Sequence, residues 1–222
     1  MKMQFNLFPF AALAFAALAL ASCKKDKGED PSPPYAGVTI NGVTWSEFNV
    51  NTPGTFTAKA EDYGMFYQWG IKVGWSSADP LTPSLAGASW TYPISGAEGD
   101  VWTSANDPCP AGWRLPTKEE QLTLLEDGTG GKADKVSNEW ISTGVTGRKF
   151  TDKSSGTSIF FPAAGRREYS DGSLDFAGDD AIYWSRSVYN VDKALSLYVY
   201  EAGGGQFWGE RAFGLAVRCV RQ

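Results

Sequence analysis

The sequence predicts an α+β domain built of short antiparallel sheets, one main helix and long loops. Three observations carry this. Asn41-Gly42 stands between two apolar runs, and this pair takes the positive φ angles of a two-residue hairpin at little cost. Thr117 and Glu120 lie three apart ahead of Leu122 and Leu125, a capping box that starts a helix. Residues 194–200 and 212–220 alternate with period two, as strands with one buried face require.

Residues 1–22 read as a lipoprotein signal peptide. Lys2 precedes the apolar stretch 8–20, interrupted by Pro9, which is too short to span a bilayer. Leu20-Ala21-Ser22-Cys23 resembles a bacterial lipobox, which implies cleavage before Cys23 and acylation of that cysteine. Several acyl chains on one residue meet the two-signal requirement for stable anchoring. The expected address is therefore the outer membrane, lipid-anchored and facing the cell surface. A plain secretory signal with an incidental cysteine stays open.

Residues 23–36 hold the lipidated Cys23 and a charged, proline-rich tether without apolar periodicity. Its acidic residues resemble the surface-export signals of Bacteroidetes lipoproteins, although a solvated linker accounts for them equally. Residues 37–222 then read as one domain. The hairpin opens it, and 64–75 holds a buried strand with Phe66, Tyr67, Trp69 and Trp75. Residues 76–108, rich in Ser, Gly, Pro and Asp, form a long irregular loop. The helix follows Pro116 and closes at Gly128; strands follow at 158–161, 182–185, 194–200 and 212–220.

Composition excludes several activities. There are 20 basic and 25 acidic residues, a net charge of −5, so no basic stripe serves nucleic-acid phosphates. The histidine count is 0, which removes the Ser-His-Asp triad, the Cys-His dyad and His-ligated zinc. The run Gly203-Gly204-Gly205 lacks the Lys-Ser/Thr or glycine spacing of a phosphate loop. No cofactor and no metal ligand is expected.

Setting Cys23 aside leaves Cys109 and Cys219, an even number in an exported chain, which suggests a disulfide. Closing so long a loop stabilises by about 4–5 kcal/mol on a chain-entropy model. Two buried free thiols are the alternative. A redox-active pair is disfavoured, because neither cysteine has a CxxC neighbour.

Five segments occur in order: Tyr63-Gly-Met-Phe-Tyr-Gln-Trp69, Asp107-Pro-Cys-Pro-Ala-Gly-Trp-Arg-Leu-Pro-Thr117, Phe161-Pro-Ala-Ala-Gly165, Tyr183-Trp-Ser-Arg-Ser187 and Gly214-Leu-Ala-Val-Arg-Cys-Val220. Together they resemble the Fibrobacter succinogenes major paralogous domain over roughly 38–222. The resemblance implies a C-type-lectin-like fold related to formylglycine-generating enzymes, with Cys109 paired to the last strand. It locates a scaffold more than an activity. The enzyme's reactive cysteine pair is missing, since Cys219 stands alone near the C-terminus. The calcium loops of C-type lectins, Glu-Pro-Asn or Gln-Pro-Asp with Trp-Asn-Asp, are also absent.

The expected function is therefore noncatalytic binding or adhesion at the cell surface, toward a glycan or a protein. The candidate ligand-binding residues are Trp75, Trp90, Trp102, Phe207 and Trp208, all set among Gly, Ser, Asp or Pro. Trp69, Trp113 and Trp184 lie in apolar or motif segments and read as core. Phe207 and Trp208 follow a glycine run that either lifts them between strands or folds them back on the sheet. Asp171, Asp175, Asp179 and Asp180 form an acidic cluster, read as a turn and, less favourably, as hydrolase carboxylates. Arg166 and Arg167 read as local ion-pair partners, for instance of Glu168. A structural subunit of a surface or pilus-associated complex is the alternative function.

Overall fold

Asn41 and Gly42 adopt φ of 47° and 82°, and the hairpin they turn joins β1 (Val38–Ile40) to β2 (Val43–Asn49) with Ile40 opposite Val43. In the computed structural model, residues 1–2, 35–94, 102–125 and 133–222 are described. The signal segment, Cys23, nearly all of the tether and Gly128 lie outside the described residues. The folded unit is Pro33–Gln222.

After the first hairpin come β3 (Met65–Gln68), β4 (Gly74–Ser76), β5 (Trp113–Arg114) and the helix α1 (Lys118–Leu122). The next strands are β6 (Val136–Ile141), β7 (Gly147–Asp152), β8 (Ser158–Pro162), β9 (Arg166–Arg167) and β10 (Leu174–Asp175). The last are β11 (Asp180–Val188), β12 (Lys193–Tyr200), β13 (Gly203–Glu210), β14 (Gly214–Ala216) and β15 (Arg218–Arg221). They form a four-stranded sheet ordered β1-β2-β15-β5, a three-stranded sheet β6-β7-β8, and an eight-stranded sheet along β10-β9-β14-β11-β12-β13, with β3 and β4 attached through β14. Pairing is antiparallel except between β11 and β14.

The α+β expectation, with its main helix and C-type-lectin-like layout, is overturned, because the regular structure of the described residues is almost all strand and α1 has only five residues. The start was read correctly. Thr117 accepts the Glu120 N–H at 3.2 Å, and Glu120 Oε2 accepts the Thr117 N–H at 2.8 Å. The helix then tightens: the N–H groups of Thr123, Leu124 and Leu125 bond three residues back. The Thr123 hydroxyl also donates to the Glu120 carbonyl at 2.6 Å, a local bond that competes with further helix.

Period two in the eight-stranded sheet sorts its side chains into two cores. Phe66, Tyr183, Leu197, Val199 and Ala216 join one cluster with Trp45, Phe150 and Phe161. Their strand neighbours Tyr67, Ile182, Trp184, Ala194 and Leu215 join the other, with Trp69, Trp102, Trp113 and Cys219. The sheet is thus covered on both faces. The expected single strand 212–220 divides at Val217, whose carbonyl accepts the Val50 N–H at 3.0 Å; β14 stays in the large sheet and β15 enters the four-stranded one. Alternation survives the switch. The Cys109–Cys219 disulfide is formed, with Cα atoms 6.1 Å apart, and joins the loop before β5 to β15.

Candidate functional site

Three of the five candidate aromatics serve packing. Trp75 and Trp102 are 3% and 1% exposed. Trp102 meets Trp69 edge-on at 5.7 Å and donates its Nε1–H to the Asn106 carbonyl at 2.8 Å. Trp90 is half-buried; it meets Trp75 edge-on at 5.2 Å and donates to the Tyr169 carbonyl at 3.0 Å. Trp69, Trp113 and Trp184 lie in the core.

Phe207 and Trp208 stand apart from these, at 49% and 41% exposure. The glycines before them are not a loop tip: the turn is Glu201-Ala202, and Gly203 to Gly205 already belong to β13. This strand ends the sheet path, so its rings can lean over the open edge. Trp208 stacks on Tyr189 at 5.6 Å and 16°, and on Phe207 at 5.6 Å and 7°. Phe207 continues to Tyr198 at 5.8 Å, and Tyr198 to Tyr200 at 5.3 Å. The Lys193 ammonium sits 4.0 Å from the Trp208 ring centre, a cation–π contact. The result is a continuous aromatic strip across the β12–β13 edge.

Behind Phe207 the same sheet face holds a pocket of about 280 Å³. Its floor is Ile182 and Leu215, its rim Phe176, Phe207 and Phe213, and its polar groups Arg166, Asp180, Ser196 and Tyr198. The two largest of the other hollows, of about 540 and 630 Å³, are lined mainly by polar turn residues such as Asp134 and Asp152, or Glu61 and Asp62. The Tyr198 hydroxyl donates to Asp180 Oδ2 at 3.0 Å. Burial pushes the Asp180 carboxyl above its ordinary range, and Asp179 and Asp175 add repulsion, while the Tyr198 bond pulls the other way. Burial first, and then this carboxylate, push the Tyr198 phenol up to about 12.

Local backbone geometry builds the rim. Phe176 takes a left-handed φ of 57°, strained for a bulky residue. It holds there because its carbonyl accepts the N–H groups of Asp179 and Asp180, at 3.0 and 3.1 Å, while its ring faces Arg166. Gly165 permits this approach, since a Cβ there would lie 2.3 Å from the Asp175 carbonyl. The Arg166 guanidinium lies 4.9 Å from the Phe176 ring and 4.4 Å from the Phe213 ring, and pairs with Glu168 at 2.5 Å and Asp175 at 3.7 Å. Arg167 instead is buried, bonded to Asp79 at 2.6 Å.

A family model described as the Fibrobacter succinogenes major domain matches residues 34–221. The chain belongs to this family. Neither the curated proteins nor the solved structures include a match. In this Fibrobacter succinogenes major domain, the five ordered segments mostly frame the site, and Leu215 of the fifth lies in its floor. The Asp107 carboxylate accepts the N–H groups of Cys109 and Leu115, at 2.9 and 3.0 Å, which folds the Cys-Pro-Ala-Gly-Trp stretch onto the disulfide. The Tyr183 hydroxyl donates to the Pro162 carbonyl at 2.8 Å, tying two segments together. Gly165 closes the third segment and shapes the pocket rim.

Of the acidic cluster, Asp180 alone lines the pocket. Asp171 turns to its own loop, its carboxyl lowered by the Ser173 N–H and hydroxyl. Among the described residues, no group of three or more His, Cys, Asp or Glu side chains is placed to hold a metal ion. Sequence reading missed Tyr198, Phe176 and Phe213 as site residues. The signal was partial: Asp180 and Arg166 stood out as charges, but nothing local links them to Tyr198, 18 residues from Asp180 in the chain.

Proposed function

We propose that this domain is a noncatalytic glycan-binding module of a cell-surface lipoprotein, held in the outer membrane by acyl chains on Cys23. The aromatic strip Tyr189–Trp208–Phe207–Tyr198 carries the reading. Exposed rings offer a flat apolar surface with a negative face, suited to the C–H face of a sugar ring. β13 adds a bare track, because a Cβ at Gly205 would meet nothing within 4 Å. An extended chain of sugars can lie along it. Among the described residues the carboxylate that lines the pocket is Asp180, an acceptor for sugar hydroxyls.

The test uses the full chain in detergent and affinity electrophoresis against a panel of soluble polysaccharides. Trp208→Ala should abolish retardation while leaving the melting temperature unchanged. Equal retardation of Trp208→Ala, Phe207→Ala and the parent would refute the reading. For the anchor, Cys23→Ser should block incorporation of labelled palmitate, and unaltered labelling would remove it. A structural subunit is the second reading. It is favoured by the open side of β13, which among the described residues pairs with β12 alone. It would show as a stable complex at native concentration and no polysaccharide retardation.

A further inference from the structure

We infer that the pocket beside Phe207 is a subsite for one uncharged pyranose ring and that it discriminates against sugars bearing a carboxylate. This rests on the glycan reading above and adds to it a place, a ligand class and a selectivity. The space, about 280 Å³, falls near the lower end of the roughly 300–1,000 Å³ of small-molecule sites. It suits a single ring rather than a side chain of two or three.

The distribution of groups selects a sugar. One wall is the Phe207 ring and the floor is aliphatic, matching the apolar face of a pyranose. The polar part of the lining is the Asp180–Tyr198 pair, with the Tyr198 ring beside Phe207 at 5.8 Å. An ionised carboxylate offers about four acceptor positions. Asp180 Oδ2 takes the Tyr198 hydroxyl, and Oδ1 has no hydrogen-bond partner among the described residues. Two adjacent sugar hydroxyls can donate to such a carboxylate, and the Tyr198 oxygen can accept from a third. These are strong hydrogen bonds, being charge-assisted and largely removed from water.

Charge sets the selectivity. Arg166 is the cation of the lining, but Glu168 and Asp175 already pair with it, and Phe176 and Phe213 flank it. Asp180 keeps a net negative surrounding: Arg166 attracts it but is shared with Glu168 and Asp175, and Asp179 and Asp175 repel it. A carboxylate on the ligand would meet like charge in a site of low dielectric.

The experiment is titration calorimetry of the full chain in detergent with the methyl pyranosides of glucose, galactose, mannose and N-acetylglucosamine, and with glucuronate. At least one neutral pyranoside should bind, and glucuronate should bind at least about tenfold more weakly. Asp180→Asn should weaken the neutral ligand about tenfold or more, since the charged acceptor is lost. Tyr198→Phe, which keeps the ring and the fold, should weaken it several-fold and guards against misfolding of the buried Asp180 variant. Trp208→Ala should lose polysaccharide retardation. Binding of glucuronate as tight as the neutral sugars, an unaltered affinity in Tyr198→Phe, or no pyranoside binding would overturn the subsite. If polysaccharide retardation still depends on Trp208 in that last case, the subsite fails and the strip stands.

Discussion

Arg218 donates its Nε–H to Asn49 Oδ1 across 2.8 Å at a point where neither side chain reaches solvent. The guanidinium also bonds the carbonyls of Ser46 and Glu47, at 3.1 and 2.8 Å, and lies 4.7 Å from the Phe161 ring centre. Asn49 completes the network by donating to the Tyr63 carbonyl at 3.0 Å and the Tyr183 hydroxyl at 3.2 Å. Burial pulls the Arg218 pKa down to about 10. The pair is where β2 meets β15, so it fixes the register between the N-terminal hairpin and the last strand. Asn49→Ala leaves a buried cation short of an acceptor and should cost about 3 kcal/mol in urea unfolding. Arg218→Lys should cost nearly as much, because an ammonium cannot fork to three carbonyl-type oxygens in one plane. Losses under about 1 kcal/mol in both would show that the network is dispensable.

The disulfide makes a second, independent clamp on the same strand. Cys109 and Cys219 are 110 residues apart, so the bond shortens the unfolded chain greatly. Cys109→Ala/Cys219→Ala, or reduction in urea, should lower stability by about 4–5 kcal/mol on the chain-entropy model. The check is a pair of denaturation curves with and without reductant. Native, unreduced protein should take up no iodoacetamide at either position, and alkylation there would contradict the bridge.

Local signals were legible in the sequence and long-range ones were not. The Asn41-Gly42 turn and the Thr117–Glu120 box involve neighbours, and both formed as read. Helix length was not legible, since the Thr123 hydroxyl that ends it looks like any polar residue in a helical run. β6 and β7 escaped notice because Glu139, Arg148 and Lys149 interrupt their apolar pattern. Arg148 is in fact buried, its Nη2 donating to the carbonyls of Tyr200 and, at 3.0 Å, Gly203, and its Nη1 to Asn138 at 2.9 Å. Phe207 and Trp208 could be picked out as neighbours. Asp180 meets Tyr198 only through the pairing of β11 with β12, a contact that no short segment announces.

Acid should loosen the start of α1 through Glu120. Burial alone would raise this carboxyl, but the Arg114 guanidinium at 2.6 Å and the Thr117 N–H outweigh it, and the folded pKa lies below the ordinary 4.5. A carboxylate held low in the folded state stabilises it at pH above the unfolded pKa. That contribution is lost as pH falls through the folded value. Melting temperature should therefore decline below about pH 4.5, and Glu120→Gln should flatten part of that decline while lowering stability at neutral pH. Parallel pH profiles for the parent and Glu120→Gln would show that this pair does not carry the linkage.

Two adjacent glycines of β13 should respond oppositely to the same change. Gly204 lies on the face of Val199, and a Cβ there would come within 2.3 Å of Val199 Cγ1 and 2.9 Å of the Tyr198 carbonyl. Val199 is buried and cannot withdraw, so Gly204→Ala must push β13 away from β12. The expected loss is about 1–3 kcal/mol. Because Phe207 and Trp208 ride on the same strand, polysaccharide retardation should fall with it. Gly205 points to the pocket face, where a Cβ meets nothing within 4 Å. There alanine restricts the unfolded chain and should stabilise by about 0.4–1 kcal/mol, raising the melting point by a few degrees. Retardation should be kept. If both variants behave alike, in melting and in binding, β12 does not hold β13 in the register that sets Leu195 opposite Trp208 and Ser196 opposite Phe207.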